Sequence, residues 1–144
     1  MKKKTKTKKP KEKEFTVIVL AIIFDPRRRK ILIGKRENDP YVKELSWVFP
    51  GGRLMHKETE EKTIKRKVKE ETGLEVENLG TVFSRIFPEK KDFFLIYNLC
   101  ELISGSEKTG GDIKELKWVN PDELQSYFTT SLDPKLKEYI SNLK

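Results

Sequence analysis

Apolar positions fall into two kinds of pattern along this chain, and the change from one to the other outlines the fold. Residues 15–24 (FTVIVLAIIF) form an unbroken, β-branched apolar run, the composition of a strand covered on both faces. Asp25-Pro26 signals a turn, and residues 30–34 read as the returning strand. Lys35 and Arg36 are expected to leave that strand into a polar loop ending near Glu44. Residues 47–49 form a short strand stopped by Pro50, and Gly51-Gly52 follow with backbone freedom that other residues lack. Residues 58–72 contain neither Gly nor Pro and are rich in helix formers, and Gly73 is the expected left-handed stop. Ile64 and Val68, four apart, share the helix's buried face, and Leu54 and Leu74 are expected to help seat it on the sheet.

Beyond the helix, residues 76–87 contain two strand-like pieces, 88–91 (PEKK) a charged turn, and 92–102 a long strand. A Gly/Ser loop spans 104–111 and a strand 113–119. Asn120-Pro121 caps a following helix, and Asp133-Pro134 repeats that grammar for a last helix over 135–143, with Leu136, Tyr139, Ile140 and Leu143 on one side. Strands, helix, strands and helices in this order predict an α+β layered domain.

Charge divides the chain. Of 144 residues, 38% are charged and 35% hydrophobic, with a formal net charge of +8. Eight lysines and two glutamates lie in residues 1–14, so six of the eight net charges belong to this arm and the remainder carries about +2. We therefore expect a basic tail without fixed structure over 1–14 and one domain over 15–144. The tail is a candidate for weak nucleic-acid contact, although no aromatic residue is interleaved with its lysines to stack on bases. The apolar run after it is too short for a bilayer span, which needs about 20 residues, and no small-residue cleavage site follows it. Cys100 is the sole cysteine. No internal disulfide is available, and a cytoplasmic home without membrane contact is expected.

The chemistry-bearing residues cluster on the helix. Lys67, Glu70 and Glu71 lie three and four apart, so the last turn carries a carboxylate edge beside the apolar stripe. Adjacent glutamates suit a hard cation such as magnesium if a loop brings further oxygens opposite them. The order of residues adds more. Gly52, Glu58, Arg66, Val68, Glu70, Glu71, Gly73 and Leu74 fall in register on a glycine–glutamate–arginine–glutamate pattern that resembles the Nudix box of the MutT-like Nudix hydrolases. Trp47-Val48-Phe49-Pro50-Gly51-Gly52 is similar to the approach to that box, and the likeness runs over about 15–143.

The resemblance implies an α/β/α sandwich with a mixed sheet. It also implies Mg2+- or Mn2+-dependent hydrolysis of a phosphoanhydride bond in a nucleoside diphosphate linked to another moiety. It assigns metal binding to the Gly51 carbonyl, Glu70, Glu71 and Asp112 (with Glu115 the neighbouring alternative). Glu58 and Arg66 receive a role in holding the loop and helix, and Glu70 and Glu71 are candidate proton acceptors, with Glu89 as an outside candidate. Lys35 and Arg36 are candidate contacts for substrate phosphates, and Tyr41, Trp47, Phe83 and Phe87 candidate stacking residues. Homodimers are common among such proteins. His56 reads as an ordinary loop residue.

One position departs from the pattern. Lys67 stands where a glutamate is expected, and an ammonium neither ligates a cation nor accepts a proton. Two readings stay open. The ammonium stands in for one ion and hydrolysis survives, or the site is depleted and the domain is a catalytically weakened nucleotide- or RNA-binding module.

Overall fold

The structure, a computed structural model, describes residues 14–43 and 45–143. The expected basic tail lies outside the described residues except for Glu14, as does Glu44, the expected loop end. Strand β1 (Thr16–Asp25) is the axis of the sheet. It pairs in parallel with β6 (Phe93–Gly105) from Thr16 opposite Phe93 to Phe24 opposite Glu101. On its other edge it is shared. β4 (Gly51–Arg53) pairs antiparallel with Ile18–Leu20, and β2 (Lys30–Arg36) pairs antiparallel with Ile23–Asp25. The edge therefore forks in the middle of β1. β3 (Trp47–Val48) and β7 (Ile113–Val119) pair with β2, while β5 (Leu74–Ile86) pairs with β6 at the far edge.

Both faces of β1 are covered, which explains its unbroken apolar sequence. Val19, Ala21 and Ile23 pack with Leu32, Val76 and Cys100 under Ile64 and Val68 of helix α1 (Glu60–Thr72). Ile22 packs on the opposite face with Ile31, Ile33 and Tyr97, under Leu124 of α2 (Leu124–Tyr127) and Leu136 and Ile140 of α3 (Pro134–Ser141). A mixed sheet between α1 and the C-terminal helices is the predicted α/β/α sandwich. No helix among the described residues is long and apolar enough to cross a membrane.

Several boundaries differ from expectation: β6 runs on to Gly105, into the expected Gly/Ser loop, and α3 closes at Ser141. β2 runs on through Lys35 and Arg36, because pairing with β7 carries it past Gly34, with a register shift between the two basic residues. The two strand-like pieces after α1 are one strand: β5 absorbs its irregularities as register shifts against β6 at Glu75/Val76, Asn78/Gly80 and Thr81/Phe83. The Asn120 cap starts only a 3-10 turn (Pro121–Glu123) and the four-residue α2. Helix α1 begins at Glu60, since Thr59 is extended and caps it by accepting a hydrogen bond from the Lys62 N–H. Glu58 is thereby left outside the helix.

Cys100 is fully buried and burial pushes its thiol up to about 12. The reactive thiolate is thus absent at neutral pH. A disulfide-exchange reagent such as dithionitrobenzoate is expected to leave the native protein unmodified and to titrate one thiol after unfolding in guanidinium. Rapid labelling of native protein would contradict this packing.

Candidate functional site

The site is built where the edge of β1 forks. Phe49 anchors the chain ahead of it, buried with edge-on contacts to Tyr97 and Phe128 at 6.0 and 5.0 Å. The Pro50 carbonyl accepts from the Ala21 N–H at 2.8 Å, and the Leu54 N–H donates to the Val17 carbonyl at 2.8 Å. Antiparallel pairs alternate between bonded and non-bonded positions. With Ala21/Pro50 and Val17/Leu54 bonded, Gly51 opposite Leu20 is a non-bonded position. Its N–H faces away from β1 and donates to Glu71 Oε1 at 2.9 Å. By the same alternation its carbonyl lies on that outward edge. Gly51 has φ of 150°, and a Cβ there would lie 2.1 Å from the Val19 carbonyl oxygen. Only glycine fits.

Opposite stands the last part of α1. Glu71 is 4% exposed. Burial pushes its carboxyl up, opposed by the Gly51 N–H and the charges of Lys67 and Arg36. Lys67 Nζ lies 3.5 Å from Glu70 Oε1 and 3.8 Å from Glu71 Oε2. Glu70 also receives Arg66 NH1 at 3.3 Å.

Glu58 and Arg66 touch, although on a continuous helix eight residues would separate them by about two turns. Because Glu58 precedes the cap, its carboxylate folds back and accepts two bonds from Arg66, from Nε and NH2 at 2.9 Å each, and a third from Thr63 Oγ1 at 2.8 Å. The Arg66 bonds, then the Thr63 bond, hold the Glu58 carboxyl at about 2, against an ordinary 4.5, and the same pair raises the Arg66 pKa. A depressed carboxyl stabilises the fold fully above its unfolded value and ceases to as the pH falls through its folded value. The stability difference between wild type and Glu58→Gln is therefore expected to be constant above pH 4.5 and to shrink as the pH falls toward about 2. Urea titrations across that window read it, and a difference independent of pH would remove the pair from the account.

Asp112 is brought to the same region by the loop after β6. That loop lies against the end of α1: the Lys108 N–H donates to the Thr72 carbonyl at 2.9 Å, and a Cβ on Gly110 would lie 2.1 Å from the Glu70 carbonyl oxygen. Asp112 remains exposed and accepts from Arg36 NH2 at 3.3 Å. Arg36 also reaches Asp39 Oδ1 at 3.5 Å.

A cavity of about 390 Å3 begins at Gly51, Gly52, Lys67 and Glu71 and takes Arg36 and Asp112 into its wall. Tyr41, Phe49, Phe87, Phe93, Tyr97 and Phe128 also line it, with Arg85, Lys90, Asp92 and Ser131 as polar lining. Of the two basic residues at the end of β2, only Arg36 lines it; Lys35 lies over the Trp47 ring, 6.0 Å from its centroid. Of the candidate stacking residues, Phe87 and Tyr41 line it, whereas Trp47 packs on Tyr127 and Phe83 on Tyr97. Glu89 accepts from the N–H and Oγ of Ser131, a residue of the cavity wall, at 2.7 and 2.8 Å. Glu115 is exposed on β7 opposite Lys35.

Sequence reasoning missed Asp39, Arg53, Arg85 and Ser131. Asp39-Pro40 was readable as a turn signal, and Asp39 indeed accepts from the N–H groups of Tyr41 and Val42 at 3.4 and 3.2 Å. The other three carry no local signal.

The NUDIX domain family model matches residues 14–143 of this chain. An ADP-ribose pyrophosphatase of Methanocaldococcus jannaschii is 34% identical over 98 residues, covering 66% of this chain and 57% of the relative. An 8-oxo-dGTP diphosphatase of Buchnera aphidicola is 38% identical over 63 residues, 44% of this chain and 46% of that protein. The matches thus span about half the length of these curated relatives. Among solved structures, the ORF135 protein of E. coli superposes with a TM-score of 0.68 at 25% identity, covering 90% of this chain and 91% of that one.

Proposed function

The chain belongs to the NUDIX family, and from that premise we propose that it is a divalent-cation-dependent pyrophosphohydrolase acting on a nucleoside diphosphate linked to another moiety. The observation that carries this reading is the junction of Glu71 with the Gly51 N–H. It fixes a buried carboxylate beside Glu70 in the wall of a cavity lined by aromatic residues.

The donor set fits a single hydrated divalent ion better than a compact cluster. Glu70, Glu71 and the outward Gly51 carbonyl offer three oxygen donors. No group of three or more His, Cys, Asp or Glu side chains converges on a metal position among the described residues. Such an ion tolerates retained water in its remaining positions. We assign those three residues to hold Mg2+ or Mn2+, with Asp112 reaching the site only on release from Arg36. When bound, the ion neutralises diphosphate charge and acidifies a water.

The rest is done by the chain's own groups. Glu71 or Glu70, whichever keeps an oxygen free of the ion, takes the proton of the attacking water. Arg36, Arg53 and Lys67 present positive charge to the phosphates, and the aromatic walls exclude water around the nucleoside. Arg66 clamps Glu58 and steadies Glu70, fixing the helix against the loop. With one buried cysteine, a reducing cytoplasm is the compartment we assign.

The relatives' names make ADP-ribose and 8-oxo-dGTP the first compounds of a test panel, extended with dinucleoside polyphosphates and capped RNA. Incubation with Mg2+ or Mn2+ and mass-spectrometric product analysis is expected to show at least one compound split at its phosphoanhydride bond. Binding of nucleotide or RNA with no cleavage anywhere in the panel would replace this reading with that of a binding module.

A further inference from the structure

Lys67 touches the carboxylates proposed to hold the ion, so its charge bears on how many cations the site accepts. Its Nζ stands between Glu70 and Glu71, at 3.5 and 3.8 Å. The side chain is only 23% exposed, and its stem crosses Gly52 so closely that a Cβ there would lie 2.5 Å from Lys67 Cε. The lysine stem thus packs directly on the Gly52 backbone.

Cations already stand against these carboxylates, and Arg36 is itself paired with Asp39 and Asp112. The carboxylates of Glu58, Glu70 and Glu71 face the cations of Arg66 and Lys67, and Arg36 adds positive potential at Glu71. Each carboxylate is also spoken for: Glu58 by Arg66 and Thr63, Glu70 by Arg66 and Lys67, Glu71 by Gly51 and Lys67. A free divalent ion must compete for the same carboxylates with a like-charged ammonium that the chain holds at high effective concentration.

We propose that Lys67 is a tethered cation filling one cation position of the Glu70–Glu71 pair, so that the nucleotide-free protein binds divalent ions weakly and takes at most one. A substrate diphosphate, itself an anion, gives the ammonium an alternative partner and frees the carboxylates for the ion. The ion and the substrate then bind with positive coupling. The assignment rests on the hydrolase reading only for this last step.

The test uses the full-length protein and Mn2+ alone, with free ion read by electron paramagnetic resonance and no nucleotide present. Lys67→Met removes the charge; Lys67→Glu replaces it with a further carboxylate. Melting curves confirm that each variant is folded. Both are expected to bind Mn2+ at least about tenfold more tightly than wild type, and Lys67→Glu to take an additional ion. Adding Glu71→Gln to Lys67→Met is expected to abolish that gain. Wild type binding Mn2+ as tightly as Lys67→Met, or a gain that survives Glu71→Gln, would overturn the proposal. Because no turnover is read, an inactive protein showing the expected Mn2+ shift would sink only the hydrolase reading. An active protein without the shift would sink only the tethered cation.

Discussion

Glu71→Gln is expected to lower hydrolysis by about a hundredfold to ten-thousandfold, the range set by loss of a general base, while leaving the fold intact. The amide oxygen still accepts the Gly51 N–H, so β4 and α1 stay joined. What disappears is the negative charge, and with it one ligand of the proposed ion and one of the two candidate proton acceptors. Burial disfavours the charged form of Glu71, so neutralising it relieves a desolvation cost. Unfolding by urea should show stability equal to or greater than wild type, the trade expected where a site holds an unfavourable charge for function. Reduced turnover with a matching loss of stability would instead mark Glu71 as a structural residue.

Gly51→Ala is expected to have the largest effect on stability, at least about 3 kcal/mol, in the range reserved for backbone strain and steric conflict. The added Cβ meets the Val19 carbonyl oxygen at 2.1 Å and Leu20 Cα at 2.9 Å. Both are backbone atoms of the central strand, and neither can rotate aside. Relief requires β4 to leave β1, which also withdraws the N–H from Glu71 and leaves a buried carboxylate short of a partner. Urea unfolding reads the loss. A change below about 1 kcal/mol would show that β4 relaxes freely and that its pairing does not position the site.

How much of this was legible in the chain depends on the distance over which each feature is determined. β1, β7 and the Gly73 stop of α1 were readable because β-branched content and a left-handed glycine act within a few residues. The pairing of Glu58 with Arg66 was not readable from helical spacing, since it depends on one cap: Thr59 takes the extended conformation and leaves Glu58 free to turn back. The separation of Arg36 from Lys35 required the register of β2 against β7. Likewise, the approach of Asp112 to the helix depends on the 106–112 loop fitting against the Thr72 and Glu70 carbonyls. Arg85 and Ser131 meet, through the Arg85 NH2 bond to the Ser131 carbonyl at 3.0 Å, across 46 residues of chain. No local pattern encodes such a meeting. The motif identified the helix and its carboxylates; the cavity that Glu71 lines was assembled by tertiary packing.

The most direct test is to run the best-cleaved panel compound in 18O-labelled water with wild-type protein and Mg2+ or Mn2+. Attack by water on a phosphoanhydride predicts one 18O atom in one of the two phosphate-bearing products, formed only when the divalent ion is present. Products without label, or labelling unaffected by removal of the ion with a chelator, would contradict divalent-assisted pyrophosphohydrolysis at this site.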